Sequence, residues 1–327
     1  MFSYLIRRSI IMIPTLILIS LIGFIIIELP EGDYLTRRIS ELQRQGHTDA
    51  REQMEVLRTR YGLDKPFYER YLIWITGFIR GDFGLSFEYN RPVSELIGQR
   101  LGLTIVVSLS TLIFTWVIAL PIGIYSATHQ YTLTDHFFTF IGFLGLSIPN
   151  FLFALVLLVI GIQVFGYAPT GLFSDTYRNA PWSFAKVLNM LKHLWVPVIV
   201  IGTAGTASLI RIMRGNLLDI LGEQYIQTAR SKGLKESIVI YKHAVRNAIH
   251  PLIMQLGMTL PQIISGAAIT GIVLGLPTTG PMYLTALENQ DMYLAGTFLV
   301  FLALLLLLGN FLSDILLALV DPRIRYS

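Results

Sequence analysis

The side chains with the most chemical potential are concentrated between Glu223 and Pro251, in the stretch EQYIQTARSKGLKESIVIYKHAVRNAIHP. Glu223 to Ser231 has the pattern of a short helix on which Tyr225, Ile226 and Ala229 cluster. Glu223 suits the positive N-terminal end of that helix, and Arg230 and Lys232 suit its C-terminal end. Gly233 then supplies the left-handed residue of a helix stop, followed by Leu234. A second helix is expected from Lys235 to His250, with Ile238, Tyr241, Ala244, Val245, Ala248 and Ile249 on one face and Lys242, His243, Arg246, Asn247 and His250 on the other. Such a basic helix–turn–helix has three uses: adsorption to anionic lipid, a solvated charged face, or insertion into a cleft on another protein. The small residues Ala229 and Gly233 favour insertion, because a helix lying on lipid has no need of a tight turn with small contact residues. His243 and His250 share a helical face, but without a nearby third ligand they read as solvated cations, and no metal site is expected.

Enzyme chemistry has little to work with. Cysteine is absent, which removes disulfides, thiol nucleophiles and thiolate metal sites. There is no G-x-x-x-x-G-K-[ST] phosphate loop, no H-E-x-x-H and no G-x-S-x-G, so no catalytic residue is assigned and no cofactor is expected on this chain. Two acids in apolar surroundings, Glu28 and Asp314, are functional candidates by default. Glu28 reads as lying among lipid headgroups, and Asp314 as pairing with arginines of the C-terminal tail. The sequence LSIPN places Ser147, Pro149 and Asn150 inside an otherwise apolar stretch, and Gly271 and Gly275 form a GxxxG; these five are candidates for lining a pathway or, for the glycines, for packing helices.

The elements that must position these residues are membrane spans. Of 327 residues, 53% are hydrophobic and 14% charged, far below the quarter or so usual in soluble domains. The net charge of +4 is too modest to suggest nucleic acid. Six segments are long and apolar enough to cross a bilayer: Ser9–Leu29, Leu103–Ala127, Phe137–Phe165, Leu194–Met213, Leu252–Leu276 and Leu294–Val320. The first is longer than a signal-peptide core and is expected to be retained. Pro121, Pro149, Pro197 and Pro261 interrupt four of the spans. Arg7, Arg8, the cations from Arg211 to Arg246, and Arg323 and Arg325 place both termini and the loop between spans four and five in the cytoplasm; the turn from Pro277 to Tyr293 holds no Lys or Arg. The long external loop after span one carries a capping box at Asp49 and Glu52, a stop at Gly62 before Pro66, and a second helix, FYERYLIWITGFIR, ending at Gly81, whose aromatics suit an interfacial position. The expected division is a first span with a cytoplasmic N-terminus (1–30), the external loop (31–102), a five-helix core (103–320) containing a cytoplasmic loop (214–251), and a cytoplasmic tail (321–327).

Taken in order, several motifs resemble those of one family. QYIQTARSKGL followed by a helix and RNAIHP looks like the cytoplasmic signature loop of ATP-binding cassette importer permeases, in its dipeptide/oligopeptide/nickel branch. RYGLDKPFYERY and GDFGLSF resemble that branch's first external loop, FLGLSIPNFLFAL its third span, and GNFLSDILLALVDPRIR its last span and tail. Gln224 and Ser231 depart from the usual Asp and Ala, and Gly271 to Gly280, GIVLGLPTTG, stands where the family tends to have a glutamate and Pro-Gly-x-Gly.

The resemblance implies an all-α integral membrane protein of six transmembrane helices, the type I importer permease fold, with a helical external loop. It implies a bacterial or archaeal cytoplasmic membrane, and partners in a second homologous permease subunit, two ABC ATPases that hold ATP and Mg, and an extracytoplasmic solute-binding protein. Glu223, Tyr225, Ile226, Ala229, Arg230, Lys232, Gly233 and Leu234 would form the helix that docks on the ATPase, with Tyr225, Ile226 and Leu234 packing in its cleft, Gly233 setting the turn, Ala229 allowing close approach, and Arg230 and Lys232 making polar contacts. The cargo would be peptide, or alternatively oligosaccharide or nickel. The competing class is an ion-coupled secondary transporter, which calls for inverted repeats and buried ion-coupling groups.

Overall fold

The computed structural model describes residues 2–29, 64–166 and 168–320. Almost every element is a helix: α1 (Phe2–Glu28), α2 (Phe67–Ile79), α3 (Val93–Thr128), α4 (Leu133–Ser147), α5 (Asn150–Ile160), α6 (Asp175–Arg178), α7 (Phe184–Leu221), α8 (Gln224–Ser231), α9 (Glu236–Ile238), α10 (Val245–Ala248), α11 (His250–Val273), α12 (Thr279–Glu288) and α13 (Met292–Val320). A two-residue antiparallel hairpin, β1 (Leu85–Ser86) and β2 (Arg91–Pro92), pairs Leu85 with Pro92. Among the described residues five helices are long and apolar enough to cross a membrane, and the bent pair 133–147 and 150–164 brings the number to six if it makes one crossing. The capping box at Asp49 and Glu52 and the stop at Gly62 lie outside the described residues.

Three of the expected spans, Leu103–Ala127, Leu194–Met213 and Leu294–Val320, sit inside longer helices. α3 begins at Val93 and α7 at Phe184, each ten residues before the apolar run suggests. At 36 and 38 residues they reach about 54 and 57 Å, well beyond the roughly 30 Å of hydrocarbon. Polar residues hid the start of α7. Ser183 caps it by accepting the Lys186 N–H, and Lys186 is itself buried, its ammonium donating to the Ala180 carbonyl at 2.5 Å and lying 4.9 Å from the Phe173 ring. The third span is not one helix. Ile148 precedes a proline and is therefore driven to extended backbone (φ −93°, ψ 119°), so α4 ends and α5 restarts at an angle of 103°. Pro121, Pro197 and Pro261 stay inside continuous helices.

The chain divides into two compact units, Met1–Gly102 with Pro281–Leu304, and Leu103–Gly280 with Leu305–Ser327. The first has an aromatic core. Trp74 of α2 stacks on Phe24 of α1 at 5.5 Å, with Tyr71, Phe78 and Phe83 around it. The aromatics of α2 are therefore split: Trp74 is buried inside the unit, while Tyr68 is exposed. Glu28 accepts a 2.5 Å bond from Arg70, so this acid is tied to α2. Asp291, completely buried, caps the start of α13 through the Leu294 N–H and accepts from the Ser86 hydroxyl (2.5 Å) and the Glu88 N–H (3.1 Å).

The second unit is built around α7, whose buried face includes Val196, Val200, Met213 and Leu217. Small residues let neighbouring backbones close in. A Cβ on Gly145 of α4 would meet Thr203 of α7 at 2.9 Å, and one on Gly309 of α13 would stand 2.7 Å from the Gly257 carbonyl of α11.

Candidate functional site

The Glu223–Pro251 module begins where α7 ends. A two-residue turn, with Gly222 N–H donating to Asp219 and Glu223 N–H to Ile220, leads directly into α8. Glu223 occupies the N-cap with extended backbone; its side chain makes no capping bond, so its effect is that of charge near the helix dipole. At the other end Gly233 adopts φ +73°. The Gly233 N–H donates to Arg230 and the Leu234 N–H to Ala229, which satisfies the last carbonyls of α8 in the left-handed stop the sequence suggests. A Cβ at Gly233 would meet nothing within 4 Å, so only the backbone conformation calls for glycine there.

Two of the proposed docking residues face inward. Ile226 is completely buried and Ala229 nearly so, in a core with Ala119 of α3, Leu209, Met213 and Leu217 of α7, and Val239, Ala244 and Ala248. Ile226 cannot pack in another protein's cleft. It fixes α8 to its own chain, because the apolar face of a short helix is claimed by the nearest core. The close approach made at Ala229 is likewise internal. Tyr225 and Leu234 remain exposed, at 42% and 39%, with Glu223 and Lys232 beside them. The Tyr225 hydroxyl accepts from Asn247 at 2.8 Å, holding α8 against the returning segment. Arg230 is engaged within the module: its guanidinium donates to both Glu236 carboxylate oxygens at 2.7 to 3.3 Å. The pairing holds the Glu236 carboxyl below its usual range and raises Arg230.

The second helix differs from the regular one expected. Between α9 and α10, Val239 to Ala244 winds in a wide π turn. Its i→i+5 spacing brings Val239, Ala244 and then Ala248 onto one inner line. Ile238 and Tyr241, placed on the buried face by 3.6-residue periodicity, are turned outward, Tyr241 to 64% exposure. Arg246 is also fixed, donating to the terminal carbonyl of Val320 at 2.8 and 3.0 Å.

The pathway candidates are scattered. Ser147 and Pro149 are exposed at the α4–α5 break and Asn150 is half-buried at the start of α5. Gly271 is buried within α11. Gly275 lies beyond the helix with φ +61°, the Leu276 N–H closing back on Gly271. The GxxxG is therefore a helix stop and not a packing ridge, since its second glycine has left the helical path. The close helix contact of α11 is made elsewhere, at Gly257. The tail arginines expected to pair with Asp314 lie outside the described residues.

Sequence reasoning missed a buried ion pair of this unit. Asp135, 2% exposed, receives two bonds from the Arg214 guanidinium at 2.9 and 3.1 Å, one from the Tyr131 N–H, and sits three residues after the cap Thr132. The Thr132-x-x-Asp135 spacing is a helix-start signature that would have moved the beginning of α4 from Phe137 to Leu133.

Among the described residues, up to six apolar crossings and a compact basic module carried on α7 define a polytopic membrane protein. The chain belongs to the family described as the binding-protein-dependent transport system inner membrane component, which matches residues 119–326, and the corresponding N-terminal membrane component matches residues 1–110. It is 36% identical to the oligopeptide transport system permease protein AppB of Bacillus subtilis, 30% to the dipeptide transport system permease protein DppB of Escherichia coli K12 and 30% to the oligopeptide transport system permease protein OppB of Haemophilus influenzae, each match covering all of both chains. The chain is thus a membrane-spanning ABC transporter permease subunit of the inner membrane, with a role in peptide transport.

Proposed function

We propose that this chain forms half of the translocation pathway of an ATP-driven peptide importer, beside a second, homologous permease subunit. Two ABC ATPases hold the ATP and Mg and do the hydrolysis, and an extracytoplasmic solute-binding protein delivers the peptide. The module between α7 and α11 faces the cytoplasm with both termini, and the loop over 31–102 faces outward. The names of the relatives support peptide over oligosaccharide or nickel.

The observation that carries this reading is the construction of α8. Its inner face is anchored in the chain's own core by Ile226 and Ala229, and its outer face, with Glu223, Tyr225, Lys232 and Leu234, is held out rigidly between a tight turn and the Gly233 stop. A helix mounted this way is suited to transmit a push applied by another protein. Tyr225, Leu234 and Lys232 form the contact; Ile226, Ala229 and Arg230 hold its shape. The α4–α5 break at Ser147, Pro149 and Asn150 supplies the pathway surface.

Gly233→Val tests the docking surface, because a β-branched residue at positive φ is strained by about 1–2 kcal/mol or more while nothing around it is crowded. We expect membrane insertion to be kept, capture of the ATPase subunits to fall at least tenfold, and Gly233→Asn, which tolerates this backbone, to retain capture. Unchanged capture by the valine variant overturns the assignment.

A further inference from the structure

The ion pair between Asp135 and Arg214 joins two parts of the second unit that the docking reading leaves unconnected. Arg214 lies on α7 seven residues before its end at Leu221, and that end leads through the two-residue turn into α8. Asp135 lies in the first turn of α4, and the far end of α4 is the break at Ile148 and Pro149. The carboxylate is almost fully buried and is shared between the Arg214 fork and the Tyr131 N–H, in a turn where Tyr131 takes a left-handed φ of +61°. Bidentate geometry resists rotation as well as separation of the two helices. At the other end of α4, Gly145 lies against Thr203 and Ala207 of the same α7. α4 is thus fastened to α7 twice, by charge at Asp135 and by close packing at Gly145, about 15 Å apart along a rigid helix. The chain that follows the second fastening departs at 103°.

We propose that Asp135 and Arg214 are positioning residues of the transport cycle: their pair makes α4 travel with α7 and α8, so that displacement at the docking helix arrives at the Ser147–Asn150 break. The inference rests on the reading of α8 as the docking helix. Neither residue touches cargo or nucleotide. The pair acts by removing the slack that would let α7 move past α4.

The test uses the complete transporter, reconstituted with its second permease, ATPases and binding protein. The chain has no cysteine, so Asn150→Cys places one thiol on this subunit at the break, and its rate of maleimide labelling is read with and without ATP in a cysteine-free background of partners. In the Asn150→Cys protein the rate changes with nucleotide. Adding Asp135→Asn keeps capture of the ATPase subunits within twofold, abolishes the nucleotide-dependent change at position 150, and lowers peptide uptake at least tenfold. Arg214→Gln does the same, and the double variant falls no further than either single one, because both changes break one contact. If Asp135→Asn keeps the nucleotide response and transports within twofold of wild type, the inference is overturned. It is equally overturned if Asp135→Asn loses ATPase capture, since the pair would then serve only to fold the module. If the parent Asn150→Cys protein captures no ATPase, the docking reading itself fails and takes this inference with it, an outcome recognisable before any substitution at Asp135.

Discussion

Ile226 and Tyr225 stand side by side in sequence, and the structure separates their roles completely. Ile226 is fully buried, so Ile226→Ala removes packing from the core beneath α8 and should cost about 2–5 kcal/mol, seen as a lower melting temperature in detergent. Tyr225→Phe removes only the Asn247 bond and should cost about 1 kcal/mol. Equal effects would contradict the division between an anchored inner face and a free outer one. Asp291 makes a second prediction at this scale. Burial pushes its carboxyl above the ordinary value of 3.8, against the hydrogen bonds from Ser86, Glu88 and Leu294 that lower it. The folded protein therefore holds this proton at pH values where the unfolded chain has lost it. Its contribution is full below pH 3.8 and declines as pH rises through the raised folded value. Asp291→Asn, which keeps the cap, should flatten the fall in stability with rising pH above 3.8; an unchanged slope in thermal melts would contradict it. The chemical identity of these residues was legible in the sequence, but the direction they face was not. Tyr225 and Ile226 both fit a helix surface, and only the proximity of a core decides which is inside.

At the scale of elements, the sequence showed where apolar helices must lie and failed where a polar residue is satisfied by structure. Lys186, held by a carbonyl and two aromatic rings, left the start of α7 outside the apolar run that begins at Leu194. The π turn escaped because a period of 3.6 has no place for an extra residue; the burial of Val239 in place of Ile238 is its consequence. The pre-proline break at Ile148 was visible as LSIPN, though its angle was not. The close contact of α11 with α13 carries no spacing signal, since Gly271 and Gly275 have the familiar GxxxG while Gly257 and Gly309 make the contact. Gly309→Leu drives a side chain into the backbone of α11 and should destabilise by about 1–3 kcal/mol or more, whereas Gly266→Ala, with open space around it, should stay within about 0.5 kcal/mol. Thermal stability of the two purified variants measures the difference, and parity would refute the crossing.

At the scale of the whole molecule, in the proposed function the chain is a conduit component whose docking module connects it to an external engine. No phosphate-binding loop is present in the sequence, so in the proposed ATP-driven cycle the energy arrives from another chain. In that proposal the exposed face of α8, attached to α7 through the two-residue turn, is the point of entry. The most direct measurement is peptide accumulation against a gradient in proteoliposomes containing the permease pair and binding protein, with and without the ATPase subunits. The account predicts accumulation only when the ATPases and ATP are both present, and its loss in the Gly233→Val protein. Accumulation by the membrane subunits alone, driven by a proton or sodium gradient, would contradict it.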